Sequence, residues 1–140
     1  MRYTIGQVAE KIGVSAHTLR FYDKQGLLPF VDRNEAGNRV FKESDMEWLA
    51  VIACLKNSGM AVKKIRKYIE LGMEGDATLK ERLEVFENHK KFVAEKMAEL
   101  EAYTKKIDDK ISYYRTAIEL GSTKMLSQND CVWTVEEKVK

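Results

Sequence analysis

With 140 residues, 44% of them hydrophobic and 33% charged, the chain can build a modest core beside much exposed helical surface. A net charge of +2 does not imply non-specific polyanion binding, and the small basic excess lies in residues 1–75, with 12 Lys and Arg against 9 Asp and Glu, while residues 76–140 hold 12 against 13. There is no apolar run of eighteen residues, no signal-peptide pattern and no disulfide framework in two widely spaced cysteines, so a cytoplasmic protein without a membrane partner is expected.

Residues 4–28 read as two short helices around a tight turn. Thr4 and Gln7 form a capping box, Ile5, Val8, Ala9 and Ile12 share one helical face, and Gly13 supplies the turn. Ser15 caps a second helix that runs to about Gln25 and ends at Gly26. Leu19 faces the first helix, leaving Ala16, His17, Thr18 and Arg20 mostly outward. Two helices this short cannot stand alone. They match a helix-turn-helix whose second helix enters a DNA major groove, with an ordinary helical hairpin as the alternative. On the DNA reading Ala16, His17 and Thr18 address base edges and Arg20 holds phosphate, with Thr4, Ser15 and Tyr22 completing the contact surface.

Pro29 breaks the helical pattern. Phe30 and Val31, then Val40 and Phe41, flank a polar tip from Arg33 to Arg39, which predicts a small β-hairpin. Beside a helix-turn-helix it is a wing, and Arg33, Asn38 and Arg39 are its candidate DNA contacts; a solvated loop is the alternative. Ser44 and Glu47 predict a capping box for a helix over 45–57 that buries Trp48, Leu49, Ile52, Ala53 and Leu55. A helix over 62–71 follows, with Ile65, Tyr68 and Ile69 inward. Its outward residues Lys63, Lys64, Arg66 and Lys67 suit a DNA backbone or simply water, and Lys63 is kept as a contact candidate. Gly72 and Gly75 bracket an expected linker.

From Thr78, an expected cap with Glu81, a heptad pattern runs through Leu79, Leu83, Phe86, Lys90, Val93, Met97 and Leu100 to Ile118. This predicts a helix about 60 Å long at 1.5 Å per residue, with a narrow apolar stripe that no second helix of the chain matches in length. A homodimer is expected; covering of the stripe within the chain is the alternative. The expected organisation is a DNA-binding part over 1–75, a dimerisation helix over 76–120 and a tail over 121–140 with no helical period, whose Met125, Leu126, Val132, Trp133 and Val135 could pack back onto the body. No phosphate-cradling glycine loop, acid–base pair or nucleophile motif suggests an enzyme. No CxxC or HxxxH spacing suggests a metal site, and no cofactor is expected.

These elements, in this order, resemble the MerR family of bacterial transcription regulators over about residues 2–118. The resemblance is carried by Tyr3-Thr4-Ile5-Gly6-Gln7-Val8-Ala9, Leu19-Arg20-Phe21-Tyr22-Asp23, Gly26-Leu27-Leu28-Pro29, Gly37-Asn38-Arg39-Val40-Phe41, Asp45, and the stretch from Leu55 to Gly59-Met60. It implies a mainly α fold, with a winged helix-turn-helix followed by a long antiparallel coiled-coil dimerisation helix. It also implies an activator that binds a palindromic promoter with an over-long spacer and distorts it for RNA polymerase. Ala61 departs from the pattern, standing where a capping Ser often opens the second wing helix, a loss of about 1 kcal/mol. Within the family the chain looks like the NmlR/AdhR group of thiol-dependent aldehyde and electrophile responders. The matching residues are Trp48-Leu49, Ile52-Ala53-Cys54-Leu55-Lys56, Gly59-Met60, Gly75-Asp76, Glu81-Arg82-Leu83 and His89. That likeness implies Cys54 as the sensor thiol. The residues themselves leave open a buried core cysteine near a helix C-terminus, where the dipole opposes a thiolate. A metal-responsive or ligand-independent regulator of the same family, with Cys54 in the core, is the alternative.

Overall fold

The computed structural model describes residues 2–125. Strand β1 (Arg2–Tyr3) leads into helices α1 (Ile5–Ile12) and α2 (Ala16–Lys24), and strands β2 (Asp32–Arg33) and β3 (Arg39–Lys42) form the wing. Helices α3 (Glu43–Asn57) and α4 (Val62–Met73) follow, then a 3₁₀ turn (Asp76–Thr78), helix α5 (Leu79–Leu120) and a second 3₁₀ turn (Thr123–Met125). Leu126, Cys131, Val132, Trp133 and Val135 lie outside the described residues.

Local chemistry sets the first helix pair. Thr4 Oγ1 accepts the Gln7 N–H at 3.3 Å and Gln7 Oε1 accepts the Thr4 N–H at 2.8 Å, closing the capping box at the start of α1. Gly13 ends that helix at φ 73°, a left-handed turn that a side chain would strain. Ser15 Oγ accepts the Thr18 N–H at 3.0 Å and opens α2. Val8, Leu19, Leu27 and Leu28 are then buried together with Phe41, Ile52 and Ile65 in one core.

The wing is a three-stranded sheet with β3 in the centre. Asp32 pairs with Val40 and Arg33 with Arg39 on one side, and Arg2 pairs with Lys42 and Tyr3 with Phe41 on the other. Strand β1, two residues long, is too short to show a period in the sequence, yet it supplies the extra pairing that a lone hairpin lacks.

Three expected local features differ. Helix α3 starts two residues before Asp45, so Ser44 lies inside its first turn rather than capping it. The Asp45 carboxylate, 2% exposed, accepts the Lys42 N–H at 3.0 Å and pairs with Lys42 Nζ at 3.1 Å, and this charged acceptor takes the capping role. Gly72 belongs to α4 rather than to a linker: a Cβ there would stand 2.1 Å from Trp48 Cη2, so only glycine lets the indole lie on the helix. Thr78 is buried, and its hydroxyl donates to the carbonyls of Leu71 (2.6 Å) and Gly75 (2.8 Å) instead of capping α5.

A row of rings runs through this part of the molecule. Phe30 meets Trp48 at 5.8 Å between centroids, Trp48 meets Tyr68 at 5.9 Å, and Tyr68 meets Phe86 edge-on at 5.1 Å. Burial raises the Tyr68 phenol above its usual range, with Arg82 acting in the opposite direction. Two compact units result, Met1–Val93 and a second beginning at Ala94. The first reaches beyond residue 75 because the opening turns of α5 pack on it through Val85, Phe86 and His89. On α5, the seam residues Leu79, Leu83, Phe86, Met97, Leu100, Ile107, Ile111, Tyr114 and Ile118 are exposed, and the hydroxyl of the seam residue Thr104 donates to the Leu100 carbonyl at 3.0 Å. Among the described residues no helix is long and apolar enough to cross a membrane.

Candidate nucleic-acid interface

Helix α2 offers one outward face. His17 and Arg20 are exposed, and Ala16 and Thr18 are half-buried beside them. Thr18 Oγ1 lies 2.8 Å from Ser15 Oγ, so the two hydroxyls form a fixed pair at the helix start. Tyr22 does not belong to this face. It is 2% exposed, because it follows Leu19 by three residues and turns inward with it, and burial raises its phenol above the ordinary range. The aromatic on the outward side is Phe21, 39% exposed and four residues after His17. The sequence signal for it was present: an aromatic off the Leu19–Tyr22 stripe.

Between α2, the wing and the start of α1 lies an open cleft of about 510 Å³, lined among others by Arg2, Thr4, Arg20, Asp23, Arg33 and Arg39. Arg2, on β1, is a further basic group that reading the helices alone passed over. Tyr3 beside it donates to Glu43 Oε2 at 2.6 Å, and that bond raises its phenol. Among the described residues Arg2, Arg20 and Lys63 make no ion pair.

Arg39 is not a free phosphate clamp. Its guanidinium pairs with Asp23 and donates to the carbonyls of Val31 (2.7 Å) and Leu28 (3.4 Å), and the side chain is only 19% exposed. It ties β3 to α2 and fixes where the wing stands. Arg33 stays at the surface, donating to the Gly37 carbonyl at 2.7 Å and reaching Asp23 at 3.4 Å. Asn38 is exposed at the wing tip, where Asn34 Oδ1 accepts its N–H at 3.0 Å. Arg66 likewise leaves the outward row of α4: its Nε and Nη2 donate to the Gln25 carbonyl at 2.8 and 2.6 Å, closing the C-terminal end of α2. Lys63, Lys64 and Lys67 remain exposed. Ala61 opens α4 without a side-chain cap.

Cys54 is exposed, so the core-cysteine alternative is corrected. Its neighbours Ala53 and Leu55 take the buried side of α3, and position 54 turns outward between them. An adduct there would not overfill a packed site among the described residues. One turn later Ser58 Oγ donates to the Cys54 carbonyl at 2.7 Å and lies 2.8 Å from His89 Nε2, while the His89 ring stacks on Phe92 at 5.7 Å. His89 is thus a half-buried, hydrogen-bonded residue. Among the described residues no group of three or more His, Cys, Asp or Glu is placed to hold a metal ion.

The family model for MerR HTH family regulatory proteins matches residues 3–71, and that for the MerR DNA-binding region matches residues 46–110. An uncharacterised HTH-type transcriptional regulator of Haemophilus influenzae is 49% identical over 127 residues, spanning 91% of this chain and 94% of the relative. The HTH-type transcriptional regulator AdhR of Bacillus subtilis is 35% identical over 91 residues, 65% of each chain. Among solved structures, HiNmlR, a MerR family regulator lacking the sensor domain and bound to promoter DNA, superposes with a TM-score of 0.79 at 49% identity, covering 90% of this chain and 100% of that one. With a winged helix-turn-helix, a second helix pair and then a long helix in this order, the chain belongs to the MerR family of helix-turn-helix transcriptional regulators, of the NmlR/AdhR-like group, and is not an enzyme.

Proposed function

We propose that the chain is a homodimeric activator that binds promoter DNA, distorts it for RNA polymerase and responds to aldehydes or other electrophiles through Cys54. The observation that carries the DNA reading is the outward face of α2 opening onto a cleft lined by arginines, in a chain that matches a regulator solved on promoter DNA. Ala16, His17 and Thr18 address base edges, and Phe21 suits a thymine methyl group. Arg2, Arg20, Arg33 and Lys63 hold phosphates, with Thr4, Ser15 and Asn38 positioned beside them. Residues 1–75 carry these contacts, and the exposed seam of α5 joins a second copy, which sets two half-sites on one face of the duplex.

The sensing step is supported by the exposure of Cys54 and by the likeness to AdhR. A second reading, a regulator that acts without an inducer, is favoured by the likeness over 90% of this chain to a regulator that lacks the sensor domain. A footprint of the protein with RNA polymerase on its own promoter region, with and without a reactive aldehyde, separates the two. Aldehyde-dependent opening of the promoter is expected; the same opening without aldehyde would favour the second reading.

A further inference from the structure

Among the described residues, the lining of the cleft between α2 and the wing brings together four guanidinium groups, Arg2, Arg20, Arg33 and Arg39, and a single carboxylate, Asp23. In a surface that meets a polyanion, a lone acid opposes every phosphate that approaches, whatever the base sequence. Its two oxygens are used unequally. One pairs with Arg39, which two backbone carbonyls also hold. The other reaches Arg33 Nη2 at 3.4 Å, the long end of a hydrogen bond, and the Arg33 side chain is 53% exposed. Exposed ion pairs of that geometry are weak. Arg39 is therefore fixed, whereas Arg33, anchored at the wing by its 2.7 Å bond from Nη1 to the Gly37 carbonyl, is tied to Asp23 only loosely, and its Nη2 can turn from that acid to a better anion.

Resting on the reading of α2 and the wing as the DNA interface, we propose that Asp23 is a specificity-determining residue. It keeps Arg33 from phosphates in loose, sequence-independent encounters and releases it only when base contacts by α2 bring a phosphate close. In the loose complex Arg33 stays with Asp23 and contributes no phosphate contact. In the seated complex Arg33 has changed partner and contributes one. Removing the charge of Asp23 therefore strengthens binding to arbitrary DNA more than binding to the operator, and the ratio of the two falls.

The test is a salt titration of binding to two duplexes of equal length: one selected by the wild-type chain from a random-sequence pool, and one of unrelated sequence. For Asp23→Asn, affinity for the unrelated duplex should rise about three- to tenfold near 50 mM salt, and its log–log salt slope should steepen by about 0.9, the value of one phosphate contact. The slope on the selected duplex should not change. Adding Arg33→Gln to Asp23→Asn should remove the gain. Arg33→Gln alone leaves the Asp23–Arg39 pair intact and keeps the test readable should Asp23→Asn disturb the wing. It should flatten the slope on the selected duplex by about 0.9 and change binding to the unrelated duplex less. Unchanged binding of Asp23→Asn to the unrelated duplex, a gain that survives Arg33→Gln, or equal slope changes on both duplexes for Arg33→Gln would overturn the proposal while leaving the interface reading standing. A wild-type chain that selects no duplex would overturn both.

Discussion

Apolar side chains of the same types meet opposite fates in two regions of this molecule. Leu19, Ile52 and Ile65 are fully buried in the first unit, whereas Met97, Leu100 and Ile118 on α5 are 66, 65 and 78% exposed. In the first unit each such residue lies where two or three elements converge. On α5 they repeat along one side of a single helix, in steps of four and three. One region completes its own core, and the other leaves an apolar stripe exposed, which the proposed dimer would cover as half of an interface.

The largest expected effect breaks that half-interface. Leu100→Asp would bury an unpaired charge in the seam of the proposed dimer, costing several kcal/mol. Size-exclusion chromatography with light scattering should show a dimer for the wild type and a monomer for the variant, with operator binding lost. A wild-type monomer at micromolar concentration would remove the comparison's second half.

The next effect falls on the other region. Gly72→Ala places a methyl group 2.1 Å from Trp48 Cη2, inside the row of rings that joins α3, α4 and α5. Overpacking of this kind costs about 1–3 kcal/mol, read as a lower urea midpoint at unchanged oligomeric state. An unchanged midpoint would mean that Trp48 has room to turn aside.

The same contrast explains what was legible in the sequence. Thr4 with Gln7 and Ser15 with Thr18 are caps within one turn, so residue type and spacing suffice to read them. The heptad of α5 is equally local. What sequence missed depends on partners far along the chain: Asp23 taking Arg39, Gln25 taking Arg66, Trp48 lying on Gly72, and β1 pairing with β3. An arginine or a glycine looks the same in sequence whether it meets solvent or a distant carbonyl. Tyr22 is a different failure, since its three-residue step from Leu19 put it on the inward stripe and could have been read as such.

Arg39→Ala and Arg20→Ala sharpen that lesson as a pair. The first removes a partly buried, multiply bonded guanidinium and leaves Asp23 without its main partner, so a loss of about 1–3 kcal/mol in chemical denaturation is expected, along with weaker DNA binding. The second removes an exposed group without an ion pair among the described residues. Stability should then stay within about 0.5 kcal/mol, and the salt slope of DNA binding should flatten by about 0.9. Equal stability for the two variants would return Arg39 to the phosphate-clamp role.

The smallest effect on stability is expected at Cys54, and it also tests whether the two regions communicate. The thiol is exposed on α3, so Cys54→Ser should change stability by no more than about 0.5 kcal/mol and preserve DNA binding. Because Cys54 is exposed among the described residues, a small adduct is expected to gain its leverage from what a second copy brings beside it. An allosteric coupling of about 1–3 kcal/mol would then depend on the dimer. Aldehyde should shift the melting temperature of the wild-type dimer and induce transcription in vitro. Leu100→Asp should form the same adduct, by mass spectrometry, without a shift in melting. Cys54→Ser should lose induction, and Cys131→Ser should keep it. Full induction by Cys54→Ser would end the sensor assignment. An equal melting shift in Leu100→Asp would show that the adduct acts within one chain, so that the exposed seam has no part in the signal.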